Sequence, residues 1–271
     1  MTSTAQRFWL NIALLLSLLA IVSGGYWAWK SLEADKTVKY LLPMKVSELT
    51  NILLERYLDT TKPERIEFVR QGDKWWMNTP YKVEANPVKL RQLITLANEP
   101  IIARYSTQGL DLAAFDLAPI KTQISLNQYV IGFGNTNPVT TQRYVLVNNE
   151  LVLVSEVVAG LLAGSALDLV ARTLIPNESE VIEVIMPDGR HITDVELRSQ
   201  WQAASALSIE QALNSRADLP LVRIKLKAGG ELSFQVEQTT KELKLTQIAL
   251  GLTYILPLNW HSTLLPAGSG L

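Results

Sequence analysis

The longest apolar run in the chain lies near its N-terminus. Residues Phe8 to Trp29, FWLNIALLLSLLAIVSGGYWAW, pass 22 positions without a charge. As a helix rising about 1.5 Å per residue the run would reach about 33 Å, enough for a hydrocarbon core of about 30 Å. Phe8 and Trp9 at one end and Tyr26, Trp27 and Trp29 at the other stand where amphipathic rings favour the headgroup level. The pattern predicts a transmembrane anchor contacting the bilayer through residues 8–29. A cleaved signal peptide is the alternative, with Leu10 to Val22 as its apolar stretch and Val22-Ser23-Gly24 as a loose small-residue cleavage site.

Past a polar connector the periods change. Leu49, Ile52, Leu53 and Tyr57 recur at helical spacing behind Ser47, a good N-cap, and predict a helix over Ser47 to Leu58. Strands are predicted at Glu64–Arg70 and Lys74–Thr79 around the turn Gln71-Gly72-Asp73. Asn86-Pro87 opens a helix whose apolar stripe is Leu90, Leu93, Ile94 and Ala97. Alternating runs at Lys121–Leu126, Gln128–Phe133, Gln142–Val147 and Glu150–Val154 predict a β meander, its last two strands joined by Asn148-Asn149. Ser155 caps an apolar helix from Glu156 towards Thr173, and Pro176-Asn177-Glu178 marks a boundary.

A similar order then begins again. Predicted strands Glu180–Met186 and Arg190–Leu197 flank Pro187-Asp188-Gly189, and Ser208 caps a helix carrying Ile209, Ala212 and Leu213. Strands follow at Leu221–Lys227, Glu231–Glu237, Glu242–Gln247 and Leu252–Leu256, and residues 90–101 can be laid on 209–221 with one gap. The expected fold class is α+β: a single N-terminal transmembrane helix followed by two related hairpin–helix–antiparallel-meander units. The expected domains are a cytoplasmic tip and anchor (1–30), a connector (31–46), a first α+β domain (47–176) and a second, smaller one (177–271).

Composition narrows the function classes. A hydrophobic content of 48% supports a real core, and 25 basic against 26 acidic residues, without a basic stripe, argue against a nucleic-acid partner. The lack of cysteine removes disulfides, thiolate nucleophiles, iron–sulfur ligation and lipoprotein acylation. Gly132-Phe133-Gly134 is followed by Asn135-Thr136-Asn137-Pro138 rather than by a helix able to hold a phosphate, so it reads as a turn. His191 and His261 have no ligand spacing, and Gly160 and Gly164 read as helix packing. No G-x-S-x-G elbow occurs. No catalytic, cofactor or metal residue is assigned, although spacing alone leaves a glycosidase-like carboxylate pair open.

The two-residue period of a strand sets Trp75 beside Met77 on an apolar face and Trp76 beside Lys74 and Asn78 on a polar one. An exposed tryptophan among polar groups suits an interface anchor, so Trp76, Lys74 and Asn78 are the candidate docking surface. Orientation is contested by Lys30, Lys36, Lys39 and Lys45 after the helix, against Arg7 before it. The positive-inside rule would keep the body cytoplasmic, yet large domains translocate largely regardless of flanking charge.

Gly72-Asp73-Lys74-Trp75, then Met77 and Pro80, the helix at 87–97, LDLAAFDLAP (110–119) and QYVIGFGN (128–135) occur in an order that resembles the domain-of-unknown-function 4340 family over residues 64–176. Asn86 and Asp116 depart from the family's frequent aspartate and glycine. Its members look like single-span bacterial envelope proteins, and some resemble accessory subunits of gliding-motility-type ABC transporters. The resemblance implies a single-pass inner (plasma) membrane protein with a periplasmic body and another envelope or inner-membrane protein as partner. No cofactor is expected, since the chain carries no cofactor fingerprint. Trp75, Trp76, Trp201 and Trp260 keep an envelope glycan binder or enzyme as the alternative.

Overall fold

The computed structural model describes residues 9, 16–27, 30, 39–57, 63–156, 159–212, 218–266 and 268. Phe8, Trp29, Leu58 and Leu213 lie outside them. The chain divides into one unit up to Tyr40 and another from Leu41. In the first, residues 16–27 are helical with every side chain exposed. Trp9, Tyr26 and Trp27 are exposed as well. No helix among the described residues is long and apolar enough to cross a membrane.

The second unit is a mixed α+β body built mainly of antiparallel sheet. Its first strands are β1 (Asn51–Arg56), β2 (Glu64–Gln71), β3 (Lys74–Thr79), β4 (Val83–Glu84) and β5 (Ala103–Ser106). The meander β6 (Thr122–Leu126), β7 (Tyr129–Thr136), β8 (Gln142–Val147) and β9 (Glu150–Ser155) completes a nine-stranded sheet ordered β4-β3-β2-β1-β6-β7-β8-β9-β5. The later strands are β10 (Val181–Ile185), β11 (His191–Ile192), β12 (Ser208–Gln211), β13 (Leu221–Leu226), β14 (Glu231–Gln238), β15 (Glu242–Gln247) and β16 (Leu252–Pro257). They form a seven-stranded sheet ordered β11-β10-β13-β14-β15-β16-β12.

Helix α1 (Pro87–Thr95) starts where cap and proline predict, with the Asn86 side-chain Oδ1 accepting from Val88 N and Lys89 N, and it buries Leu90 and Leu93. Helices α2 (Ala159–Ala163), α3 (Val195–Ala203) and α4 (Trp260–Leu264) are short. The turns expected at Gln71-Gly72-Asp73, Asn148-Asn149 and Pro187-Asp188-Gly189 form, with Gly72, Asn148, Asn149 and Gly189 at positive φ, the conformation a tight hairpin requires. Gly229 and Gly230 do the same between β13 and β14. Gly132-Phe133-Gly134, expected as a turn, instead lies inside β7, where its two glycines leave room for Ile120 and Phe115.

Several sequence expectations are overturned. The predicted helix Ser47–Leu58 is strand β1, because Ile52 and Leu54 face the core at a period of two and both backbone edges find partners in β2 and β6. The predicted strand Arg190–Leu197 ends at Ile192, and α3 begins after Asp194, whose side chain accepts from Leu197 N. The predicted helix at Ser208 is edge strand β12, paired with β16. The long helix expected beyond Ser155 is α2 plus a one-turn 3-10 helix (Ala166–Leu169), restarted by the Ser165–Asp168 capping box.

Between the sheets, the extended stretch after Leu169 pairs both ways. Asn86 N donates to Leu169 O and Ala171 N to Glu84 O, while Ala206 N donates to Arg172 O and Leu174 N to Ala204 O. Apolar side chains from both sheets share one continuous core. Within it, burial pushes the Tyr254 phenol up from 10.0 to about 12. The folded state therefore holds that proton more tightly than the unfolded chain does. The corresponding stability is full below pH 10.0 and is lost as pH rises towards about 12. Urea midpoints measured across this range should fall more steeply for the native protein than for Tyr254→Phe.

Candidate functional site

On the core face of the first sheet, β1 buries Ile52, Leu54 and, at the next inward position, Arg56. A charge thus stands where the alternation calls for an apolar side chain. Its neighbours across the sheet are Glu64 on β2 and Thr122 on β6, and Thr122 in turn pairs with Phe133 on β7. Arg143 precedes the inward-facing Val145 and Val147 of β8 by the same two-residue step. This polar end of the inner face, together with Leu162, Ala163, Gly164 and Ser165, lines an open cavity of about 690 Å³.

The charges around it are paired. Arg56 Nη2 meets Glu64 Oε2 at 2.7 Å, and Nη1 donates to the carbonyls of Leu162, at 2.8 Å, and Gly164. Arg56 Nε is buried without an acceptor among the described residues. Lys121 Nζ lies 2.7 Å from Asp116 Oδ1, and Asp116 sits at φ 59° where it ends the 3-10 turn Leu112–Phe115. Arg143 Nη2 lies 2.6 Å from Glu156 Oε1, and its Nη1 donates to Gly134 O at 2.6 Å. Gly134 must remain a glycine for packing reasons, since an added Cβ would lie 2.2 Å from the Phe115 carbonyl oxygen. This explains the Gly-Phe-Gly run without any nucleotide.

The candidate docking residues lie elsewhere. Lys74 directs its Nζ to Glu84 and Glu178, at 3.5 and 3.4 Å, and Asn78 is exposed. Trp76 is half-buried and lines a smaller cavity, about 250 Å³, with Leu232, Leu250 and Tyr254 of the second sheet. Trp75 is half-buried against the core beside Pro87, Leu90 and Ile94. Trp201 is fully buried, which removes it from any sugar-stacking surface, and Trp260 is half-buried against the core.

His191 Nδ1 lies 2.7 Å from Glu183 Oε1 on the surface. Hydrogen bonds from Lys225 and His191 hold the Glu183 carboxyl below its usual range. Among the described residues no group of three or more His, Cys, Asp or Glu is arranged to hold a metal ion. The helix expected over Ser47–Leu58 gives Arg56 no inward position. Read instead as an alternating strand, Asn51-Ile-Leu-Leu-Glu-Arg56 points an arginine inward, and that was the available signal. Comparison of the chain with protein-family models, with curated proteins and with solved structures found no match.

Proposed function

We propose that this chain is a single-pass, membrane-anchored protein of the bacterial envelope whose body acts as a non-enzymatic binding module. Its role on this reading is accessory: docking another protein of a membrane transport or assembly complex from the periplasmic side of the inner membrane. The observation that carries the reading is the helix at residues 16–27. Leu16, Leu18, Leu19, Ile21 and Val22, distributed around its circumference, are each 59–71% exposed. A helix apolar on every side requires non-aqueous surroundings, and the uncharged run from Phe8 to Trp29 would be long enough to supply a span. The resemblance over residues 64–176 supports the accessory role. Strand orders support the reading of two related units. In each sheet a hairpin strand (β1, β10) neighbours the first strand of a four-strand meander, and the strand after a helix (β5, β12) closes the far edge.

Reporter fusions after Leu271 test the topology: a C-terminal alkaline phosphatase should be active and a cytoplasm-dependent fluorescent protein dark. The opposite pair would reverse the orientation, and a mature N-terminus near Gly25 would replace the anchor by a cleaved signal.

A glycan-directed reading has one specific observation behind it, two carboxylates, Glu64 and Asp116, lining the same cavity. Both are held by cations, Arg56 and Lys121. With both already engaged in ion pairs within the protein, the binding module is the reading favoured.

A further inference from the structure

The cavity at the end of the first sheet is the place where the body sets charge against its own alternation. Arg56 is held by two carbonyls and is 5% exposed, whereas its partner Glu64 is 35% exposed and Asp116, the partner of Lys121, is 45% exposed. The arginine is therefore fixed, and the carboxylates reach it and Lys121 from the solvent side. The pairing with Arg56 is also incomplete. A guanidinium offers Nε–H and Nη2–H along one edge as parallel donors for a two-oxygen anion. Glu64 takes Nη2, and Nε is left without an acceptor. A buried donor without a partner is costly, and a purely structural clasp would be expected to close it.

Lys121 lines the same cavity, and its backbone is held next to that of Arg56, Tyr57 N donating to Lys121 O at 2.8 Å. Arg143, on the same wall, is already satisfied by Glu156, Thr136 and Gly134 O. The cavity's volume of about 690 Å³ falls within the range of about 300–1,000 Å³ in which small ligands bind.

We propose that this cavity binds a small anion carrying a carboxylate or phosphate group, which takes both donors of the Arg56 edge and the Lys121 ammonium in place of Glu64 and Asp116. Glu64 and Asp116 are then internal stand-ins for the ligand's oxygens. The proposal does not depend on membrane orientation, so a reversed topology would leave it standing.

The test uses the full-length protein in nanodiscs of neutral lipid. Binding is followed by thermal shift and isothermal titration at low ionic strength, with inorganic phosphate and citrate as soluble probes. Vesicles containing phosphatidylglycerol supply the same chemistry as a lipid headgroup. The native protein should show saturable binding of at least one probe. Lys121→Gln, at an exposed side chain, should weaken it about tenfold, the equivalent of about 1.4 kcal/mol. Arg56→Lys, which keeps the charge and loses the two-donor edge, should weaken it by at least as much while circular dichroism stays native. Glu64→Gln should tighten it, because the competing carboxylate is gone. That gain separates a ligand site from a structural clasp. Response to vesicles alone assigns the anion to a lipid, and response to phosphate or citrate assigns it to a free metabolite. Saturable binding to neither, or binding of equal strength in Lys121→Gln and the native protein, overturns the proposal.

Discussion

Truncating Trp201 to alanine should lower the stability of the body by about 3–5 kcal/mol, the range for removing a large aromatic from a packed core. The ring is fully buried on α3, its centroid 5.9 Å from that of Phe234, and its Nε1 donates to Leu264 O at 3.2 Å. Alanine would leave both a void and an unpaired buried carbonyl. Trp201→Phe should cost less, since it refills most of the space and loses only the hydrogen bond. Denaturant unfolding of the purified protein separates the two, and an unchanged midpoint for Trp201→Ala would mean the ring does not hold α3 to its sheet.

The second large effect is expected at the cavity. Glu64→Gln should cost about 3 kcal/mol, because removing one partner of a buried pair leaves the other charge uncompensated at a cost of about 3–5 kcal/mol. The lower end applies because Glu64 is itself 35% exposed and water can replace part of what it supplies. Replacing both partners, as in Arg56→Met with Glu64→Leu, should recover most of the loss, since two well-packed apolar side chains avoid the desolvation of the pair. Unfolding free energies of the singles and the double complete the cycle. A double variant as unstable as the sum of the singles would show that the pair is not energetically coupled.

The features legible along the chain are those decided within a few residues. Asn86-Pro87 specifies a helix start because the cap and the fixed proline φ act locally. Asn148-Asn149 and Gly229-Gly230 specify hairpins because they tolerate positive φ. The meander strands β6–β9 and β13–β16 follow from alternation between such turns, and residues 16–27, inside the apolar run, are helical.

Segments with ambiguous periods were settled by partners distant in sequence. Asn51–Arg56 satisfies helical spacing through Leu49, Ile52 and Leu53, yet β2 on one side and β6 on the other offer backbone partners along its whole length, and it is a strand. Ser208–Gln211 carries a good cap residue, but the free edge of β16 takes it. α3 was hidden for the converse reason: Leu197 and Trp201 are only two apolar anchors, and their strength comes from what they pack against, Trp201 against Phe234 on β14. The cavity is the extreme case. Arg56, Glu64, Thr122, Phe133 and Arg143 come from five strands and meet only through sheet register. Ion pairing and burial depend on spatial distance and solvent access, and neither is carried by residue type or spacing along the chain.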